Sequence, residues 1–400
     1  MKKRIFGKHL IFAEAAATLV GTIVGAGVLA IPYAVQKAGF LTGLLNLLIL
    51  GAAVVFLYLY VGEVVLRTKG NYQLPGYAER YLGKTGKVLI TFTTTFAIYG
   101  ALTAYMIGVG RSLAAIFGMQ NNITILGMAI SADLLFGLLF FAFASTIVYL
   151  GLAFIRKSEL LMSSIVIIIV ILICAFLFLK IDVSNLASFN LSKLFIPYGV
   201  ILFALAGAIA IPEMKEELVK NKKLLRKAII VGTLIPIVLY TLFSFVTVGV
   251  CGSSTSEVAT IYLGQRFGVI MKIFGNLFAI FAMSTSFLTL GLGLKEVYNY
   301  DYKIKKSIAW SLACLIPLVL FLLMFFFIRE EIFYKTIGLT GGVAMTLEGV
   351  LLVIMFNRAK RRGDRKPEYA VKRSTIVSIA LIIVFTLGLA YTILNFFGLI

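Results

Sequence analysis

Gly25-Ala-Gly-Val-Leu-Ala-Ile-Pro32 and Leu205-Ala-Gly-Ala-Ile-Ala-Ile-Pro212 match at five of eight positions, 180 residues apart. In each copy small residues precede an Ile-Pro pair near the middle of a long apolar run. Proline removes a backbone donor and clashes with the preceding turn, and glycine tolerates non-helical torsions, so each copy predicts a helix broken at membrane depth. A single such motif reads as a kink with glycine packing, which Gly21 and Gly25 at GxxxG spacing would also serve. Two at matched positions favour paired breaks. The copies stand five spans apart, and an odd number reverses the direction of the chain, so the two halves read as inverted repeats.

The rest of the chain fits that frame. Its 400 residues are 61% hydrophobic and 14% charged with a mean hydropathy of +1.03, which excludes a water-soluble globule. The 33 Phe, unphased Gly and three Cys exclude disordered, collagen-like and disulfide-scaffold classes. Apolar runs of about 20 residues or more number eleven. They predict an all-α membrane protein with 11 transmembrane helices, a five-plus-five inverted repeat with broken helices 1 and 6. The chain reads as a single transmembrane domain, 1–400, with a first repeat over 10–180, a second over 195–356 and an additional helix over 375–399. The net charge of +20 is not a nucleic-acid footprint, because the basic residues fall in short runs between spans. With a cytoplasmic N-terminus, 29 of the 37 lie on inner segments, which predicts a multi-pass cell-membrane protein with an extracytoplasmic C-terminus. The basic start, Met1 to Lys8, leads into a long apolar stretch containing Glu14 and reads as a retained first helix.

A break at membrane depth frees amides and carbonyls that lipid cannot satisfy, so such backbone is tolerated only against protein or a wet cavity. Freed amides at a half-helix N-terminus attract a carboxylate and freed carbonyls accept from an ammonium group, a pairing that suits a zwitterionic solute. Ala282-Met-Ser-Thr-Ser286 in span 8 offers hydroxyls that either serve a monovalent cation or bond back to their own helix. Tyr99, Thr103 and Tyr105 in span 3 either line a pocket or pack against a neighbour. Glu348, in span 10, reads as a proton carrier, a cation partner, or a protonated or ion-paired packing residue. Glu213 follows Pro212 and fits gating or helix capping; Glu14 fits an inner gate or an interfacial charge. The chain has one histidine, His9, no CxxC, no HExxH and no paired intramembrane aspartates, so no cofactor, zinc or redox site and no intramembrane enzyme are expected. Gly83-Lys84-Thr85 ends like a phosphate loop, but Ala78 stands where its first glycine belongs; transport would therefore be driven by a gradient.

Thr22-Ile-Val-Gly-Ala-Gly-Val-Leu-Ala-Ile-Pro32 resembles the first-helix signature of amino acid permeases in the amino acid/auxin and aromatic amino acid permease families of the amino acid-polyamine-organocation superfamily. The similarity continues through Tyr99-Gly-Ala-Leu-Thr-Ala-Tyr105, Ile211-Pro-Glu-Met-Lys-Glu-Glu217 and Ser284-Thr-Ser-Phe-Leu288, and covers essentially the whole chain. It implies alternating access in the five-plus-five fold. Carried onto matching positions, it implies that backbone at Gly25, Ala26 and Gly27, beside Thr22, faces a substrate carboxylate. Carbonyls near Phe203, Ala204 and Gly207 would meet the ammonium, with Phe203 as a lid and Tyr99 and Thr103 on the pocket wall. The cation site would use carbonyls of Gly21, Val24 and Ala282 with hydroxyls of Thr285 and Ser286. Gly21 stands where animal neutral amino acid members carry a sodium-linked Asn, and Val28 where a second sodium site in related folds has one, so a second sodium is not expected. Proton-driven relatives can place a Lys from span 5 in the cation position; here the interior of that span has none, which favours sodium. The resulting expectation is cation-coupled symport of a neutral, apolar or aromatic amino acid, with an exchanger, a proton-coupled permease and a non-transporting sensor as alternatives. The expected partners are that amino acid, Na+ or H+ and the bilayer, without nucleic acid.

Overall fold

The first apolar run folds as two helices. In the computed structural model, α1 (Lys2–Ile23) stops at Ile23 and α2 (Gly27–Ala38) resumes at Gly27 with its axis bent by 56°. The structure describes residues 2–119, 122–125, 128–151, 154–219, 221–328 and 331–399. The boundary expected between spans 4 and 5 adjoins residues 152 and 153, which lie outside the described residues, as does Lys220 of the inner basic set.

Spans 2 to 5 are α3 (Phe40–Arg67), α4 (Leu74–Phe117), α5 (Ala132–Leu150) and α6 (Phe154–Phe178). Span 6 is again broken: α7 (Tyr198–Ala204) gives way to non-helical backbone, a single 3-10 turn at Ala208–Ala210, and α8 (Ile211–Glu217). Spans 7 to 9 are α9 (Leu225–Cys251), α10 (Ala259–Glu296) and α11 (Lys306–Phe327). Span 10 joins α12 (Ile332–Thr340) to α13 (Thr346–Arg362) through a π-helical turn, and α14 (Thr375–Phe396) is span 11. Among the described residues, nine segments are long and apolar enough to cross a membrane singly, and the bent α1–α2 pair makes a tenth. The 25 residues of α6 occupy the remaining span. The spans are all helical, while the connection between α4 and α5 carries a two-stranded antiparallel hairpin, β1 (Asn122–Ile125) with β2 (Met128–Ser131), that apolar periodicity does not foretell.

The breaks fall at residues 24–26 and 205–207, one residue off the register set by the Ile-Pro pairs. Pro32 lies inside α2, whereas Pro212 sits in the first turn of α8, where a missing N–H costs nothing. The small residues, not the prolines, therefore mark where the helices open.

A second pair of matched features relates the halves. Gly83 (φ 80°, ψ −172°) bends α4, and Gly268 (φ 84°, ψ −174°) bends α10. These torsions are essentially reserved for glycine. Each separates a short leading helix, 74–82 or 259–267, from the long span that follows, and these spans, α4 and α10, pack against each other. The near-match to a phosphate loop at Gly83 is thus a helix kink. At the basic end of the bundle, fully buried Glu63 on α3 is held by Arg67 at 2.6 Å and by Lys360 of α13 at 2.7 Å, while Val371 N–H donates to its other oxygen. A buried carboxylate is tolerable only with such partners, and these tie α3, α13 and the segment before α14 together.

Candidate functional site

A cavity of ≈ 110 Å³ lies where the two breaks meet. Seven of the nine residues expected at the substrate line it: Thr22, Gly25, Ala26, Gly27, Phe203, Ala204 and Gly207. The other walls come from α3 (Val54, Leu57, Tyr58), α4 (Thr94, Ala97, Ile98, Ala101, Tyr105), Leu290, Glu348 with its neighbours, and Phe385. The α4 residues recur at helical spacing, so they form one stripe of that helix. Tyr99 and Thr103 fall off the stripe and do not line the cavity. The Tyr99 hydroxyl lies 2.7 Å from that of Tyr298, and buried Thr103 donates to Tyr99 O at 2.8 Å and faces Pro317 O at 3.3 Å. Tyr105 is the tyrosine of this helix that the cavity uses.

Gly27 is small for a reason other than ligand access. A Cβ there would stand 2.4 Å from Ala204 Cβ and 2.5 Å from Ala204 Cα, so the two breaks touch at this point. At Gly25 a Cβ would lie 3.1 Å from Ser286 Oγ and 3.4 Å from Tyr105 Oη, which puts both hydroxyls against the span 1 break. The five residues expected to hold a cation do not line the cavity. Val24 and Ala282 are buried, and the Thr285 hydroxyl donates to Ala282 O at 3.0 Å. That bond is the local alternative open to any helix hydroxyl. Thr22 likewise donates to Thr18 O at 2.8 Å.

The carbonyls freed by the breaks are met by tyrosines that the motifs did not flag. Buried Tyr240 of α9 has its hydroxyl 2.8 Å from Ile23 O and 3.0 Å from Ala204 O, a shared, three-centre donation. Buried Tyr58 of α3 donates to Leu205 O. The tyrosines are 182 residues apart, and so are Ile23 and Leu205. The signal available in sequence was Leu57-Tyr58 against Leu239-Tyr240, hidden because the Ile-Pro register of 180 sets Tyr58 opposite Val238.

Glu348 lies in the cavity wall at 7% exposure. Glu213 and Glu14 are exposed and lie outside the wall. The link between spans 1 and 6 near that end runs instead from the Thr18 hydroxyl to Glu217 Oε1 at 2.8 Å.

From the breaks the cavity reaches past Thr22 at the end of α1 and along the 3-10 turn at Ala208 and Ile209, and Ile209 is 38% exposed. The α2 and α7 side is closed by a network. Glu331, just before α12, pairs with Lys37 and accepts from Tyr33 Oη at 2.6 Å. Arg111 pairs with Glu257 at 2.8 Å, whose other oxygen accepts from Tyr334 N–H at 3.0 Å, and the Tyr33 and Tyr334 rings meet edge to face at 5.3 Å. Burial pushes the Glu331 carboxyl up, but the donors Lys37 and Tyr33 outweigh it and hold it below the usual carboxylate range. A depressed pKa stabilises the closure at neutral pH and loses that contribution only as pH falls through the lowered value. Glu331→Gln is expected to loosen it, raising labelling from that side of a single cysteine placed at Tyr105 several-fold, in keeping with about 1 kcal/mol for a partly exposed ion pair; unchanged labelling would assign the closure to the aromatic contact and the Arg111–Glu257 pair.

Two broken helices meeting at a cavity, in halves related by matched breaks, kinks and tyrosines, define a class. The transporter MhsT, solved in complex with L-phenylalanine, has the same fold: TM-score 0.62 at 17% identity over 96% of this chain and 98% of that one. The protein is a secondary amino acid transporter of the five-plus-five inverted-repeat fold. It belongs to the tryptophan/tyrosine permease family, whose pattern it matches over residues 8–394. Similar relatives include tyrosine-specific transport system 1 of Haemophilus influenzae, 27% identical over 94% of both chains, and glutamine transporter 2 of Aliivibrio fischeri, 26% identical over 80% of this chain and 81% of that one.

Proposed function

We propose that this permease carries a neutral, aromatic or otherwise uncharged α-amino acid into the cell by symport with sodium. The observation that carries the reading is that both breaks border one cavity whose remaining wall is largely apolar. In this reading amides at Gly25 to Gly27 hold the carboxylate, and carbonyls near Phe203 to Gly207 hold the ammonium. The aromatic preference is supported by the family and by the tyrosine-specific relative, and the glutamine transporter extends the range to polar neutral side chains. Placement of the N-terminus in the cytoplasm and the C-terminus outside rests on the distribution of basic residues. Kinship with the amino acid/auxin permeases remains part of this proposal.

Sodium would be held by carbonyls of Gly21, Val24 and Ala282 with the hydroxyls of Thr285 and Ser286, neutral oxygens of the kind a hard monovalent ion takes. The position of Ser286 against Gly25 supports this arrangement, because a cation there would strengthen the break that holds the carboxylate. Uptake of labelled tyrosine, tryptophan and glutamine into proteoliposomes under separately imposed sodium and proton gradients tests it. Sodium should drive accumulation, and Thr285→Ala and Ser286→Ala should each raise the sodium concentration needed by about tenfold. Accumulation driven by a pH gradient without sodium overturns the cation assignment, and flux only against internal amino acid identifies an exchanger.

A further inference from the structure

Beside Thr22, Tyr58 and Tyr105, the cavity wall carries two polar side chains, Glu348 and Thr94, that form no hydrogen bond among the described residues. Glu348, on α13, is more than nine-tenths buried, and no hydrogen bond or ion pair is formed by its carboxyl among the described residues. The Thr94 hydroxyl, on α4, is buried without a partner in the same wall. Both groups line the same cavity as the breaks but stand on α13 and α4, helices that contribute neither break. All these groups border one cavity of ≈ 110 Å³, so a zwitterion held at the breaks directs its side chain into the space that Glu348 and Thr94 line. A buried polar atom left without a partner costs about 1–3 kcal/mol, and that cost is removed when a ligand supplies the partner.

We propose that Glu348, assisted by Thr94, is the specificity-determining residue: its carboxyl accepts a hydrogen bond from a donor at the end of the substrate's side chain. The ligand class is an α-amino acid whose side chain carries such a donor, the phenol of tyrosine, the indole N–H of tryptophan or the carboxamide of glutamine. Phenylalanine, with the same ring as tyrosine and no donor, would leave the carboxyl unpaired and be rejected. This rests on the amino acid reading above and deepens it. It assigns Glu348 to substrate selection rather than to carrying a proton. A site built around a hydrogen bond discriminates far more strongly than one that only measures a methylene.

The test is the ratio of kcat/KM for tyrosine over phenylalanine in proteoliposomes, since a merely structural defect lowers both alike and leaves the ratio unchanged. The full-length permease should favour tyrosine by roughly ten- to a hundred-fold, the range of one buried hydrogen bond. Glu348→Gln keeps an acceptor oxygen and should retain most of that ratio. Glu348→Leu, similar in size and without an acceptor, should bring it near unity by losing tyrosine while keeping phenylalanine. Thr94→Val, away from the carboxyl, should lower the ratio by a few-fold and serves if the Leu variant does not assemble. An unchanged ratio across the variants overturns the proposal. Equal loss of all substrates in Glu348→Gln, together with loss of pH dependence, also overturns it and makes the residue a proton carrier. Failure of the unmodified protein to transport any of these amino acids would strike the underlying function instead, which keeps the two failures apart.

Discussion

Replacing Tyr240 by phenylalanine should reduce kcat/KM for uptake by ten- to a hundred-fold while leaving the protein in the membrane at near-normal yield. The hydroxyl is the partner of two carbonyls, one from each broken span. Leaving a buried acceptor unpaired costs about 1–3 kcal/mol, and the penalty falls on the backbone that borders the cavity. Tyr58→Phe frees one carbonyl, Leu205 O, and should have a smaller effect. Uptake measured beside surface expression and detergent monodispersity separates loss of function from loss of fold. If both variants transport within twofold of the parent, water satisfies those carbonyls and the tyrosines do not position the breaks.

Gly27→Val should abolish uptake and also lower the yield of folded protein. If Gly27 only faced a carboxylate, a β-branched side chain would fill that approach and the expected result would be a clean loss of binding. The structure changes that expectation: even a single Cβ would overlap the Ala204 backbone, at 2.5 Å from its Cα, and close-packed interiors yield to such overlap only by moving the elements apart. Gly25→Ala is the informative companion. Its Cβ meets Ser286 Oγ at 3.1 Å and Tyr105 Oη at 3.4 Å, contacts that side chains can relieve by a few tenths of an ångström. It should fold normally and transport poorly, chiefly by weakening sodium dependence. A well-folded, active Gly27→Val variant would mean that the breaks separate easily.

What the sequence discloses and what it hides divide along physical lines. Spans, breaks and inverted halves follow from hydropathy and from small residues beside proline, properties local in the chain, and the fold agrees with them. Side-chain direction within a span is not local. Tyr99 and Tyr105 differ by six residues, close to 240° around a helix, and only packing against α10 and α11 decides that Tyr105 meets the cavity while Tyr99 meets Tyr298. Thr285 keeps its own helix carbonyl as a partner, one of the two outcomes that its place in an apolar helix leaves open. The Glu331–Lys37 closure joins positions almost three hundred residues apart in the chain, and the acids that spacing suggested, Glu213 and Glu14, lie outside the cavity wall. Tyr58 and Tyr240 were recoverable in principle, since their separation equals that of the carbonyls they meet.

Those two tyrosines are arranged crosswise. Tyr58 belongs to the first half and holds the break of the second; Tyr240 belongs to the second and reaches Ile23 in the first. Tyr240 also meets Ala204 O in its own half, but Ile23 O and Leu205 O each take their tyrosine from the opposite half. A five-helix half expressed alone would lack the partner of one opened carbonyl, Ile23 O in the first half and Leu205 O in the second. The contact pattern thus carries the logic of an antiparallel pair, now sealed into one polypeptide, in which each partner is the other's structural cofactor.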